Sequence, residues 1–328
     1  MRPGEMIGLA LRRTVRGLAT LVGVAAVVFL LMNAAPGDPA SLSLGRQAGR
    51  GAASPGAVAA FRAEYGLDRP LPARFAAWLR RAALLDFGRS LQDGRPVRER
   101  IGETLPATVA LNVSGLALGL LIALPVGIVA ARRRGGLFDR ASGLALDLLF
   151  ASPPFVIGLA LLLLFAVRFR LFPVLGGVDE GPAGFVLPVL ALALGAAAPA
   201  ARVVRSILVE AFGSSAAAAG RARGDDAAAE VARAMHRSGA QLAALVATLL
   251  PVTVAGSVLV ERLFSVRGTG ALLAEAVFSR DTPTVLGLTL LAAGVVVAGS
   301  IVSDLASAAL DPRLAGGART VTGPEAAR

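Results

Sequence analysis

The chain contains no cysteine and a single histidine, His236. Without thiols there is no disulfide framework, no cysteine nucleophile and no cysteine metal site. One imidazole excludes zinc sites built on two or more histidines. Lysine is missing too, since all 33 basic residues are arginine. A Walker A loop needs its lysine at the phosphates, so the chain is not a conventional P-loop ATPase. Schiff-base and Ser–Lys chemistry fall with the same residue. Charged residues are scarce at 17%, and aromatics make up only 5%. No catalytic constellation stands out around His236 or elsewhere. The net charge of +11 comes from arginines between and beside apolar runs, not from a basic patch with interleaved aromatics. Nucleic acid is therefore not an expected partner.

Apolar residues are what the chain has in excess, 55% of its 328 residues, with a mean hydropathy of +0.69. They gather into runs over 17–35, 105–131, 141–167, 185–201, 240–260 and 283–310. A bilayer-spanning helix needs about 20 apolar residues, and most of the runs meet that length. The first run follows Arg12, Arg13 and Arg16. It exceeds a signal-peptide core and more runs follow it, so it reads as a retained span. The fourth run is the shortest and richest in alanine, and so the least distinct. Most runs are apolar all round, and their many small residues allow close helix approach. The expected fold is an all-α integral membrane protein of five or six spans, with the lipid bilayer as a partner.

Residues 36–103 break the pattern with eleven arginines and seven acids. Ser54-Pro55 reads as a helix N-cap and first turn, with Gly66 as the stop. Phe75, Trp78, Leu79, Ala82 and Leu85 recur at helical spacing on one face. Such a helix packs on this segment or lies on the bilayer surface, and packing is the plainer expectation. Arginine in short loops sets orientation. The N-terminus carries four arginines by Arg16, the loop at 132–140 four, and the loop at 202–239 six. With six spans these fall on one side, read as cytoplasmic, together with both termini. The loop near 168–184 lies on the other side, where Asp179 and Glu180 balance its two arginines.

Three features inside this frame bear on function. Asp147 and Asp304 sit within the third and sixth runs. A carboxylate at bilayer depth is costly, about 2.5–3.5 kcal/mol on insertion scales, and so lines a solute path or finds a partner. Each stands one or two turns from the cytoplasmic end, where it reaches water or a partner chain, and that positional reading is favoured. Pro153-Pro154, after Ser152, interrupts the third run; a helix broken beside a substrate site and a simple kink both fit. Pro106, Pro125, Pro188, Pro199 and Pro251 are further kink candidates. The loop from Arg202 to Gly239 holds Ala216 to Ala219, then Gly220-Arg221-Ala222-Arg223-Gly224. Alanine favours helix and Gly224 is a suitable stop, which predicts a short helix carrying two arginines. That helix reads equally as a docking element and as a connector whose arginines fix topology.

Several short motifs stand in order along the chain. They are Ala35-Pro36-Gly37-Asp38-Pro39, Tyr65-Gly66-Leu67-Asp68-Arg69-Pro70-Leu71 and Asp86-Phe87-Gly88-Arg89-Ser90. Arg95-Pro96-Val97 and Leu105-Pro106-Ala107-Thr108 follow. Later come Glu261, Phe264, Gly268 and Gly270, then Asp281-x-Pro283 and Leu310-Asp311-Pro312-Arg313. With this set the chain resembles, over nearly its whole length, the permease subunits of bacterial ABC importers for dipeptides, oligopeptides and nickel.

The resemblance implies a type I importer permease fold in the bacterial inner membrane. Its expected parts are an N-terminus and first span over 1–35, an extracytoplasmic helical segment over 36–103, a five-span core over 104–312 and a cytoplasmic tail over 313–328. It implies a second permease subunit, two cytosolic ATPases that carry ATP and magnesium, and an extracytoplasmic solute-binding protein. No cofactor and no catalysis are then expected in this chain. The resemblance also assigns ATPase coupling to the loop at about 202–239, where the family motif falls on Ala218, Ala219, Gly220, Arg221, Arg223 and Gly224. There the sequence departs from the family. The acidic-aromatic pair falls on Ser215-Ala216, the His-Ala-Leu-Arg-Asn stretch on Ala234 to Ser238, and the following proline on Leu242. The expected function is a peptide importer permease. A transport-deficient scaffold or receptor, or a permease for nickel or another small solute, is the alternative.

Overall fold

In lipid each backbone N–H and C=O must be paired within its own segment, so apolar runs of this length become helices. A computed structural model describes residues 3–47, 54–176 and 181–310, with side chains described over 11–45, 54–176 and 181–302. In chain order the helices are α1 (Pro3–Ala34), α2 (Pro39–Gln47), α3 (Pro55–Glu64), α4 (Leu71–Ala82), α5 (Val97–Arg132) and α6 (Leu137–Ala151). Then come α7 (Pro154–Leu161), which runs on as a π-helical segment to Arg168, and α8 (Ala183–Gly213). They are followed by α9 (Ser215–Ala222), α10 (Ala227–Arg237), α11 (Gly239–Leu263), α12 (Thr269–Ser279) and α13 (Thr282–Leu310). Among the described residues the one β feature is an isolated bridge between Arg89 and Pro96. Asp179, Glu180 and residues 311–328 lie outside the described residues.

Five helices, α1, α5, α8, α11 and α13, are long and apolar enough to cross a membrane. The remaining expected run, the third, is a pair, α6 and α7, bent by 102°. The two prolines bring this about. Pro153 and Pro154 offer no N–H, and the residue before a proline is pushed out of helical geometry. Ser152 accordingly turns extended, at ψ 119°. The result is a broken helix and not a simple kink. Pro106, Pro125, Pro188, Pro199 and Pro251 all sit inside continuous helices.

The short, alanine-rich fourth run is the centre of the bundle. In α8, 56% of the apolar window is buried, against 17–33% in the other four long spans. Ala196, Ala197, Ala198, Ala200 and Ala201 are all at most 5% exposed. Their partner is α5, whose glycines take the backbones into contact. A Cβ on Gly119 would lie 2.9 Å from the Ala193 carbonyl oxygen, and one on Gly127 would lie 2.7 Å from Val204 Cγ1. With lipid outside, such close packing is what holds two helices together. Weak hydropathy in this run thus marks a helix with protein neighbours, not a doubtful span.

The 36–103 segment packs as expected. Ser54 caps α3 by accepting from the Ala57 N–H at 3.3 Å, and Gly66 turns the chain at φ +62°. Phe75, Trp78, Leu79 and Ala82 of α4 join Ala25 and Phe29 of α1 and Leu286 of α13 in one apolar cluster. Leu85 does not belong to that face: it lies past the helix end at φ 60° and is 66% exposed.

Candidate functional site

The loop between α8 and α11 folds into a two-helix elbow. Ser214 is the only residue between α8 and α9, and its hydroxyl accepts from the Ala217 N–H at 3.2 Å. Such a cap contributes about 1 kcal/mol. At the other end of α9, the Gly224 N–H donates to the Arg221 carbonyl at 3.0 Å and the Asp225 N–H to the Gly220 carbonyl at 3.2 Å. Those two bonds make a Schellman motif, which requires a left-handed residue at the position that Gly224 fills at φ +86°. The predicted short helix with its glycine stop is therefore present.

The next helix, α10, was not legible as a helix. Asp226 caps it, accepting from the Ala229 N–H at 2.7 Å. An acid ahead of Ala227-Ala228-Ala229 is the signal that could have found it. Ion pairs tie the two helices together. Arg221 donates to Glu230 at 2.6 Å and to the Phe212 carbonyl at 3.2 Å. Arg233 pairs with Asp225, which also lies 3.7 Å from Arg223. Gly220 is buried because the Asp225 carboxylate fills the place a Cβ would take. From the span side, Arg132 at the end of α5 donates to the Ala227 carbonyl at 3.3 Å.

Of the six residues assigned to coupling, Ala218, Ala219, Arg221, Arg223 and Gly224 are exposed and Gly220 is buried. The elbow presents a low, small-residue surface edged by guanidinium groups. Nothing lies within 4 Å of where a Gly224 Cβ would stand.

The other end of α5 holds the sequence motifs, drawn together into two polar clamps. In the first, Asp281 is fully buried. It accepts from the Ser90 hydroxyl at 2.5 Å, the Leu91 N–H at 3.0 Å, the Thr284 hydroxyl at 2.7 Å and Arg100 at 3.3 Å. This joins the Asp86–Ser90 motif to the start of α13. A buried carboxylate is tolerable only with such a set of donors. In the second, fully buried Glu261 accepts from the Thr108 hydroxyl at 2.8 Å and the Ala271 N–H at 3.0 Å. The Thr108 oxygen accepts in turn from the Thr269 N–H at 2.7 Å. A side chain on Gly268 would collide with both the Glu261 carboxylate and the Thr108 hydroxyl. One on Gly270 would place its Cβ 2.7 Å from Val258 Cα. Glu261, Gly268 and Gly270 thus form a single packing unit.

Asp147 pairs with Arg202 of α8, whose guanidinium lies 5.2 Å from the centre of the Phe150 ring. At 63% exposure the Asp147 side chain is not enclosed by this chain. Its partner here is an arginine of the same chain. Asp304 falls in α13, and its side chain lies outside those described. A pair that the sequence did not reveal, Asp139 and Arg205, ties the start of α6 to α8 through two hydrogen bonds of 2.5 and 2.7 Å.

The family profile for the binding-protein-dependent transport system inner membrane component matches residues 123–316, and the profile for the N-terminal part of such components matches residues 6–112. A probable peptide ABC transporter permease protein of Sinorhizobium fredii is 31% identical over 311 residues, covering 93% of this chain and 98% of that protein. The oligopeptide transport system permease protein AppB of Bacillus subtilis is 29% identical over 324 residues, covering 94% of this chain and 99% of that protein. Among solved structures, a chain of the MetNI methionine ABC transporter in inward-facing conformations aligns with a TM-score of 0.52 at 19% identity. That alignment covers 63% of this chain and 96% of the other.

Proposed function

The chain belongs to the family of binding-protein-dependent transport system inner membrane components, and on that premise we propose that it carries di- or oligopeptides across the bacterial inner membrane. It is a membrane-embedded permease subunit of an ATP-driven importer, and in such systems ATP is hydrolysed by a separate subunit. The observation that carries the peptide reading is end-to-end likeness to permeases that are themselves named for peptides and oligopeptides. Nothing in the comparisons or the fold favours a scaffold that has lost transport.

In this reading the pore forms between this chain and a second permease. Two ATPases loaded with ATP and magnesium lie on the cytoplasmic face, and a binding protein delivers solute to the opposite face. The arginine bias of the loops supports a cytoplasmic elbow, cytoplasmic termini and an extracytoplasmic 36–103 segment. The small-residue surface of α9 is the ATPase contact. Closure of the ATPases moves the elbow and biases the bundle between inward-open and outward-open states. The departures from the family motif then mark a matched change in the ATPase groove. Uptake of labelled di- and oligopeptides by cells lacking this chain tests the solute: uptake falls if the proposal holds. Unchanged peptide uptake, with loss of nickel uptake instead, would reassign the solute.

A further inference from the structure

A cavity of ≈ 540 Å³ lies beside the first clamp, whose Leu91 lines it. It opens where the 36–103 segment meets the ends of two spans. Phe29 of α1, Trp78 of α4 and Phe87 form part of its wall. Arg69, Arg74, Arg81 and Arg89 also line it, against only Glu64 and Asp86, which leaves an excess of positive charge.

The arginines are underused. Among the described residues, Arg69, Arg74 and Arg81 form no ion pair. Arg74 is half-buried, donates to Asn33 Oδ1 at 3.1 Å and lies 5.7 Å from the centre of the Phe29 ring. Burial pushes its guanidinium below the usual arginine range. A guanidinium has five N–H donors, and a planar fork of this kind is matched by phosphate or carboxylate oxygens. An enclosed cation without a counter-ion is costly, and an anion in the cavity relieves that cost.

The height of the cavity selects among anions. Asn33, the partner of Arg74, is in the last turn of α1, and Thr282 and Pro283 at the start of α13 line the same space. Two spans therefore end at this level, which is the level of lipid headgroups. Below it, Val27, Leu30 and Leu31 of α1 are 57–63% exposed and offer an apolar track for acyl chains. Beside it, Leu84 and Leu85 project from the end of α4 at 83% and 66% exposure, a poor arrangement in water and a good one at a bilayer interface. A passing solute fits less well, since neither α8 nor α11 lines the space.

We propose that this cavity holds the phosphate of a phospholipid headgroup, with Arg74, Arg81 and Arg69 as its cationic partners and the acyl chains along Val27 to Leu31. The bound lipid fastens the 36–103 segment to the membrane surface. The test is native mass spectrometry of the full chain purified in detergent and supplied with phosphatidylglycerol. The intact chain retains the lipid. Arg74→Gln and Arg81→Gln each lower retention about tenfold, the scale of one charge-assisted hydrogen bond, while Arg74→Lys loses less. Arg81 is exposed, so its variant keeps the test decisive if Arg74→Gln does not fold. Diacylglycerol with the same chains, which lacks the phosphate, is not retained above the variant level. Unchanged retention in Arg81→Gln, or equal retention of diacylglycerol, overturns the proposal. So does displacement of the lipid by millimolar inorganic phosphate or by free peptide, which would make the cavity a site for soluble anions.

Discussion

Replacing Gly224 tests the elbow through backbone geometry alone. The residue closes the Schellman turn at φ +86°, and no atom stands within 4 Å of where its Cβ would be. A side chain there meets no steric clash, so its whole cost is conformational. For an L-residue held in the left-handed region that cost is about 1–2 kcal/mol, greatest for β-branched side chains and smallest for asparagine. An energy of about 1–2 kcal/mol changes the population of a local geometry roughly 5–30-fold. Gly224→Val should therefore reduce the fraction of elbows with a formed turn, and peptide-stimulated ATPase of the reconstituted importer should fall within that range. Gly224→Asn should stay close to the parent. Gly224 is exposed and a Cβ there meets no span, so thermal midpoints in detergent should match for all three proteins. Normal coupling in Gly224→Val would refute the reasoning. Equal losses in valine and asparagine variants would refute it too, by showing that the surface needs a bare glycine and not its dihedral angles.

Gly119→Val should destabilise the α5–α8 contact by about 1–3 kcal/mol, because the Cβ meets the Ala193 carbonyl and the backbones cannot part freely; the thermal midpoint in detergent reads this directly. Asp281→Ala removes the acceptor for Ser90, Leu91 and Thr284 and leaves Arg100 with Asp93 at 3.6 Å; it should cost about 1–3 kcal/mol for each buried donor left unpaired, seen as loss of monodisperse protein. Asp147→Asn should lower the midpoint by stranding Arg202, while the double variant Asp147→Asn with Arg202→Gln recovers it and still transports. Loss of transport in that stable double variant would restore a solute-path role for Asp147.

Helix placement was legible in the sequence because the apolar runs are long, and the Ser54 cap and Gly224 stop were legible because each rests on one local rule. The misjudged elements depend on neighbours. Alanine gives α8 weak hydropathy, yet alanine is what permits its burial against α5. Proline chemistry predicted an interruption at Pro153-Pro154, but the 102° bend depends on what each half packs against. The second elbow helix is announced only by the Asp226 cap, a single short-range sign among the arginines and glycines around it. Residues 90 and 281 meet across 191 positions of chain, so their motifs stood in the sequence as separate signs with no stated reason. Leu85 kept helical spacing, but the helix had already ended.

The single residue between α8 and α9 has a mechanical consequence. A displacement of the elbow passes into a helix of 31 residues, about 46 Å at 1.5 Å per residue, with almost no slack at the joint. Along that length α8 is seated on α5, and α5 begins at Val97, whose N–H is held by the Gly88 carbonyl at 3.0 Å. The two helices act as a strut between the elbow and the Asp281 clamp. Its compliance is concentrated at Pro188 and Pro199, where α8 lacks backbone donors. If the elbow takes the ATPase stroke as proposed, the stiffness of those two points sets how much of it reaches the far side.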